Sequence, residues 1–205
     1  MADQLYLSLW YANFRFSDLP AALERVMRQF AIVSGNERVR AATVYPLSWQ
    51  ESPVYQRIYD EKDTNEAAEP ARVIAEATER LHEDYAYEFE MMWELWVVEQ
   101  SGGLDAVWKK EPRAVRVTGF GPDFDEGAFE QNGQIRIDLG SDTPFLQEDV
   151  DLDERSAQYV KQNVQKLVDL TTAIQKNAGA ATRLLWSESG ENLAQKLIGR
   201  LQSLN

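Results

Sequence analysis

The stretch Tyr85–Val98 alternates more strictly than any other in the chain. Tyr85, Tyr87, Phe89, Met91, Trp93, Leu95 and Val97 take every odd position, and Glu88, Glu90 and Glu94 fall among the even ones. Successive side chains of a strand point to opposite faces, so a period of two means a strand with one buried face. On a helix the same spacing would scatter the apolar residues around the whole circumference. A fold for this chain must therefore supply a sheet, together with apolar side chains that cover the odd face of this strand. The even face would present Glu88, Glu90, Met92, Glu94 and Trp96 side by side.

The segments before this strand can be read the same way. Residues 4–12 are aromatic and aliphatic on both faces, as in a central strand. Ser17 and Asp18 offer a helix cap and Pro20 fits the first turn, with Leu19, Leu23, Val26, Met27 and Phe30 at helical spacing. This predicts a helix over 18–32, broken by Gly35-Asn36. Residues 38–46 and 53–59 read as strands and Asp60–Glu69 as an acidic loop. A second helix is predicted from near Pro70 to His82, with Val73, Ile74, Ala77 and Leu81 on one face. The order β-α-β-β-α-β is that of a ferredoxin-like unit, with two helices on one face of a sheet. The expected class is α+β, with an antiparallel or mixed sheet, helices on one face, and C-terminal helices.

Ser101-Gly102-Gly103 reads as a hinge, so the chain is expected to be one domain, 1–205, with sub-halves 1–100 and 104–205. Ala114–Phe120 and Gly133–Leu139 are predicted strands, joined by a long turn rich in Gly, Asp and Phe. Helix returns near residue 154 with Val160, Val164, Leu167, Val168, Thr171 and Ile174 as its apolar stripe, and ends at Gly179. Thr182–Trp186 fits a short strand or an extended link. Leu193, Leu197, Ile198, Leu201 and Leu204 predict a last helix. No solenoid-type repeat is present.

Composition excludes several functions. The 205 residues include 34 Asp and Glu against 21 Lys and Arg, a net charge of −13. Phosphates are bound by clustered cations, so nucleic acid is not the expected partner. No run approaches the roughly 20 apolar residues that span a bilayer, and Met-Ala-Asp-Gln does not read as a signal peptide. A cytoplasmic protein is expected. The chain has no Cys and one His, which removes disulfides, thiolate nucleophiles and sites with two imidazoles. Gly-x-Ser-x-Gly and Gly-x-Gly-x-x-Gly after a strand are both absent. No cofactor and no transition metal is therefore expected. The charge is uneven: residues 1–154 hold 14 basic and 31 acidic side chains, net −17, and residues 155–205 are net +4.

Three local features resemble sites and have simpler explanations. Asp149, Asp151 and Asp153 begin like a calcium loop. Glu154 and Val160 then stand where an EF-hand needs Gly and Glu, so these acids read as helix-dipole partners. Gly119 to Asp125, with Gly121 and Pro122, reads as a structural turn. His82 reads as the cation closing the second helix. Of the six Trp residues, Trp49, Trp108 and Trp186 could serve either a core or an interface.

No catalytic group is assembled in the sequence. The leading expectation is a non-enzymatic interaction module that binds a basic protein through the acidic body, with Glu88, Glu90, Met92, Glu94 and Trp96 in the contact. The alternative is a small-molecule binder or enzyme of sugar-type ligands, lined by carboxylates and aromatics. The third reading is a homodimer in which a second copy covers an apolar strand face.

Overall fold

The computed structural model describes residues 3–60, 62–99, 107–147, 153–190 and 195–196. Among the described residues seven strands form one antiparallel sheet: β1 (Gln4–Trp10), β2 (Val39–Pro46), β3 (Tyr55–Ile58), β4 (Tyr85–Glu99), β5 (Val107–Phe120), β6 (Ile135–Ser141) and β7 (Thr182–Ser187). Their spatial order is β3-β2-β4-β5-β6-β1-β7. Among the described residues the α-helices are α1 (Leu19–Ser34), α2 (Pro70–Ala77), α3 (Ala128–Asn132), α4 (Thr143–Leu146) and α5 (Glu154–Asn177).

The class is therefore α+β, but the sheet is not ferredoxin-like. The chain does run β-α-β-β-α-β through β4. In space, however, β5 and β6 separate β4 from β1, and β1 pairs with β6 and β7 from the C-terminal half. Order along the chain does not encode which strands meet. Here β4 spends one edge on β2 and the other on a fourteen-pair ladder with β5, from Ala86↔Phe120 to Glu99↔Val107. That leaves β1 no edge of β4 to join.

The odd face of β4 is buried as its alternation requires: Tyr87, Phe89, Met91, Trp93, Leu95 and Val97 are all buried. Opposite residues of an antiparallel ladder share a face, so Val115, Val117, Ile137, Leu7 and Leu9 continue this surface across the sheet. Leu23, Val26 and Phe30 of α1, Val73 and Ile74 of α2, and Val160, Val164, Leu167 and Ile174 of α5 complete one large core against it. Val168 lies outside the α5 stripe, 46% exposed, and Leu170 takes its place. Asp153 caps α5 by accepting from Ser156 N at 2.7 Å; Asp149, Asp151, the Ser101-Gly102-Gly103 hinge and most of the predicted last helix lie outside the described residues. The second helix stops at Ala77, so His82 does not cap it. His82 instead stacks on Tyr85 at 4.4 Å.

β2 reaches β4 only as far as Val39↔Met91, so among the described residues the next stretch of β4 has no strand on that side. Asn163 of α5 takes that place. Its carboxamide accepts from Trp96 N at 2.9 Å and donates to Trp96 O and Pro144 O, each at 2.8 Å. Asn163 is 1% exposed. Replacing it with Ala would remove the partner of three backbone groups, the Trp96 N–H and carbonyl and the buried Pro144 carbonyl, and should cost about 1–3 kcal/mol, read as a drop in the urea midpoint. Across the hairpin, β5 meets β6 only from Arg116 to Gly119. The outer edge before that carries Pro112, Lys109, Glu111 and Arg113. Proline offers no N–H and charges resist stacking, features that keep a bare edge from recruiting strands.

Candidate functional site

The even face of β4 belongs to the side of the sheet opposite the large core. Two cross-strand rows build it. One runs Thr43, Glu88, Thr118, Arg136, Ser8; the next runs Ala41, Glu90, Arg116, Asp138, Tyr6, Trp186. Thr118 is small and buried, so it forms a floor between the taller side chains of Glu88 and Arg136. At one end a smaller aromatic cluster closes over this face: Ala86, Phe120, Phe124 and Ala128 are buried, and Tyr45, Trp49 and Phe129 pack on them. Between cluster and rows lies a pocket of about 460 Å³ lined by Tyr45, Trp49, Glu88, Arg116, Arg136 and Asp138.

Strained loops hold Trp49 and the cluster in place. Leu47 sits at φ +59° and Asp125 at φ +48°, in the left-handed region that non-glycine residues seldom occupy. The two are tied together: Leu47 N donates to Asp84 O at 2.7 Å and Asp125 N donates to Leu47 O at 2.9 Å. Gly121 lies beside them. A Cβ there would come within 2.2 Å of Glu83 O, so only glycine allows this approach. The turn read from the sequence around Gly121 is thus structural, and it also frames the pocket.

The charges divide into satisfied and unsatisfied groups. Arg116 lies 3.4 Å from Glu90 and 4.0 Å from both Glu88 and Asp138. Asp138 accepts from Gln4 Nε2 at 2.5 Å and Gly140 N at 2.9 Å. Arg40 adds a second cation to Glu90 at 3.8 Å. Arg136 is different. Its guanidinium lies over the rings of Tyr6 (5.0 Å), Phe120 (5.3 Å) and Trp49 (5.7 Å), and Nη1 donates to Asn132 Oδ1 at 3.2 Å. Among the described residues no carboxylate reaches it within 4.0 Å, and its buried Nε has no hydrogen-bond partner. The Glu88 side chain is 17% exposed. Burial pushes its carboxyl above the usual range, against the opposing pull of Arg116. Desolvation disfavours the charged form, and an ion pair at 4.0 Å offsets only part of that cost.

The five residues singled out from the sequence follow one another along the even positions of β4, in different surroundings. Glu88 and Glu90 stand in the two rows, paired with arginines. Met92 is half-buried and Glu94 exposed further along β4. Trp96 packs in a tilted contact on Tyr159 of α5, ring centroids 4.2 Å apart, and donates to Gln162 at 3.0 Å, so its end of the strand is occupied by the helix. Trp108 meets the same Tyr159 and donates to Ser156; Trp186 packs on Tyr6 and donates to Ser8. Trp49 alone of the three undecided tryptophans lines the pocket. Arg116, Arg136, Asp138 and Tyr45 escaped the sequence reading as site residues. The alternation of β6 already put Arg136 and Asp138 opposite Ile135 and Ile137, but nothing local placed them beside Glu88.

Among the described residues no group of three or more His, Asp or Glu is placed to hold a metal ion, and no helix is long and apolar enough to cross a membrane. No protein-family model, no curated protein and no solved structure matches this chain.

Proposed function

We propose that the protein binds a small polar molecule in the pocket on the open face of the sheet, between Glu88 and Arg136 and against Trp49. The observation that carries this reading is Arg136, a guanidinium held against three rings yet left without an ionic partner among the described residues. Charged groups removed from water add little to stability even when paired, and an unpaired one costs more. A half-buried cation kept in place by strained loops is better accounted for by a ligand than by the fold. Ligand pockets commonly combine aromatic walls with a few convergent polar groups, as here.

The docking of a basic protein on the row from Glu88 to Trp96 has less support. Glu90 is already paired with Arg116 and Arg40, and Trp96 is engaged by Tyr159 and Gln162 of α5, so two of the five residues have partners within the chain. Binding is tested by thermal shift and tryptophan fluorescence against a panel of polar metabolites, including sugars, carboxylic acids and amino acids. Saturable stabilisation of the wild type is expected, about 2.7 kcal/mol at a hundredfold excess over Kd, with affinity falling about tenfold or more in Arg136→Gln. If no compound binds, or if binding ignores Arg136→Gln, the pocket is not the site.

A further inference from the structure

We infer that the ligand of this pocket is a small zwitterion of the amino-acid type, its anionic end on Arg136 and its cationic end on Glu88. This rests on the reading of the pocket as a small-molecule site, and adds the chemistry of what fills it.

Glu88 and Arg136 lie in one row, two strands apart, with Thr118 between them. Neighbouring strands are about 4.8 Å apart, so their Cα atoms are separated by roughly 10 Å. Two long side chains of opposite sign could close such a gap and form an ion pair, but they do not. Arg136 leans onto Asn132 and the rings of Tyr6, Phe120 and Trp49, while the nearest cation to Glu88 is Arg116 at 4.0 Å. The trough over Thr118 therefore has one negative and one positive wall.

The remaining charges of the pocket are already matched. Arg116 is shared among Glu88, Glu90 and Asp138, and Asp138 is further held by Gln4 and Gly140. The under-satisfied groups are the Glu88 carboxyl, for which no hydrogen bond occurs among the described residues, and the Arg136 guanidinium with its unpartnered Nε. They are opposite in sign and stand on opposite walls. A simple anion on Arg136 would meet the repulsion of Glu88, and a simple cation on Glu88 would meet that of Arg136. A molecule bearing both charges relieves both at once. The raised proton affinity of Glu88 fits this account, since an ammonium beside it would favour the ionised form. Tyr45 and Trp49 then offer an apolar wall to the ligand's side chain.

The test uses the full chain and isothermal calorimetry. Probes are the L-amino acids and, for each that binds, the amine lacking its carboxylate and the acid lacking its amino group; phenylalanine, 2-phenylethylamine and 3-phenylpropionate form one such set. Glucose stands for neutral polyols. At least one amino acid is expected to bind, with both truncated analogues about tenfold or more weaker. Glu88→Gln and Arg136→Gln should each weaken it by a similar factor, about 1.4 kcal/mol per tenfold. The comparison of intact and truncated ligands needs only the wild type, so a variant that folds poorly does not spoil it. If glucose, an amine or an acid binds as tightly as any amino acid and depends on Arg136, the zwitterion inference fails and the pocket reading stands. If no probe binds, both fail.

Discussion

Trp93→Ala should destabilise the protein by about 3–5 kcal/mol. Trp93 is the largest fully buried side chain, 1% exposed at the centre of the odd face of β4. It packs between Phe30 of α1 and Phe145 of α4, each with ring centroids 5.8 Å away. Truncation would open a cavity where strand and helices meet, and these elements cannot all collapse into it. The drop should appear in the urea midpoint at unchanged slope, since the surface exposed on unfolding barely changes. Trp93→Phe makes the account stricter. The indole Nε1 is buried without a hydrogen-bond partner among the described residues, and phenylalanine keeps a ring while deleting that donor. It should therefore recover most of the loss. Equal damage by Phe and Ala would mean that this N–H contributes more than the ring's packing.

Gly133→Ala should cost about 3–5 kcal/mol, from backbone strain and steric overlap together. Gly133 has φ +85° and ψ 168°, a conformation almost confined to glycine. A Cβ there would also lie 2.5 Å from Leu9 O and 2.9 Å from Leu9 N, backbone atoms of a strand paired on both sides. Gly35→Ala separates the two causes. Gly35 has φ +73° with nothing within 4 Å of its added Cβ, so it should lose only about 1–2 kcal/mol. The consequence reaches the pocket. Gly133 turns the chain from α3 into β6, directly after Asn132, whose side chain holds Arg136. A variant that still folds should therefore bind ligand more weakly than the wild type. Unchanged affinity would show that Arg136 is positioned by the aromatic rings alone.

Both substitutions sit where local sequence and tertiary structure meet, and they differ in legibility. Trp93 could be identified as core from alternation alone, because the pleat assigns every second residue to one face. Gly133 could be recognised only as a strand boundary, since its reason is the backbone of Leu9, more than 120 residues earlier in the chain. The β5 arm was half visible: Ala114–Phe120 alternates, whereas Lys109, Lys110, Glu111, Pro112 and Arg113 read as anything but strand. Those residues are extended because β4 offers a full-length edge to pair with, and no propensity of their own predicts it. The short helices α3 and α4 lie in stretches with no apolar period at all, and α4 exists because Phe145 and Leu146 drop into the core beside Trp93.

By itself the sequence determined the class, the faces of the main strands and helices, and the chemistry that is out of reach without cysteine or a second histidine. Those properties follow from local period and from composition. Only the tertiary structure decided which strands are neighbours, and with that the site. Glu88 was conspicuous in the sequence, but its partners across the sheet, Thr118, Arg136 and Asp138, lie 30 to 50 residues away and reach it through the register of two ladders. A carboxylate row that looks uniformly acidic along one strand becomes a balanced pocket once β5 and β6 set arginines beside it, because charge is felt through space at a few ångströms and the order of residues along the chain does not record that distance.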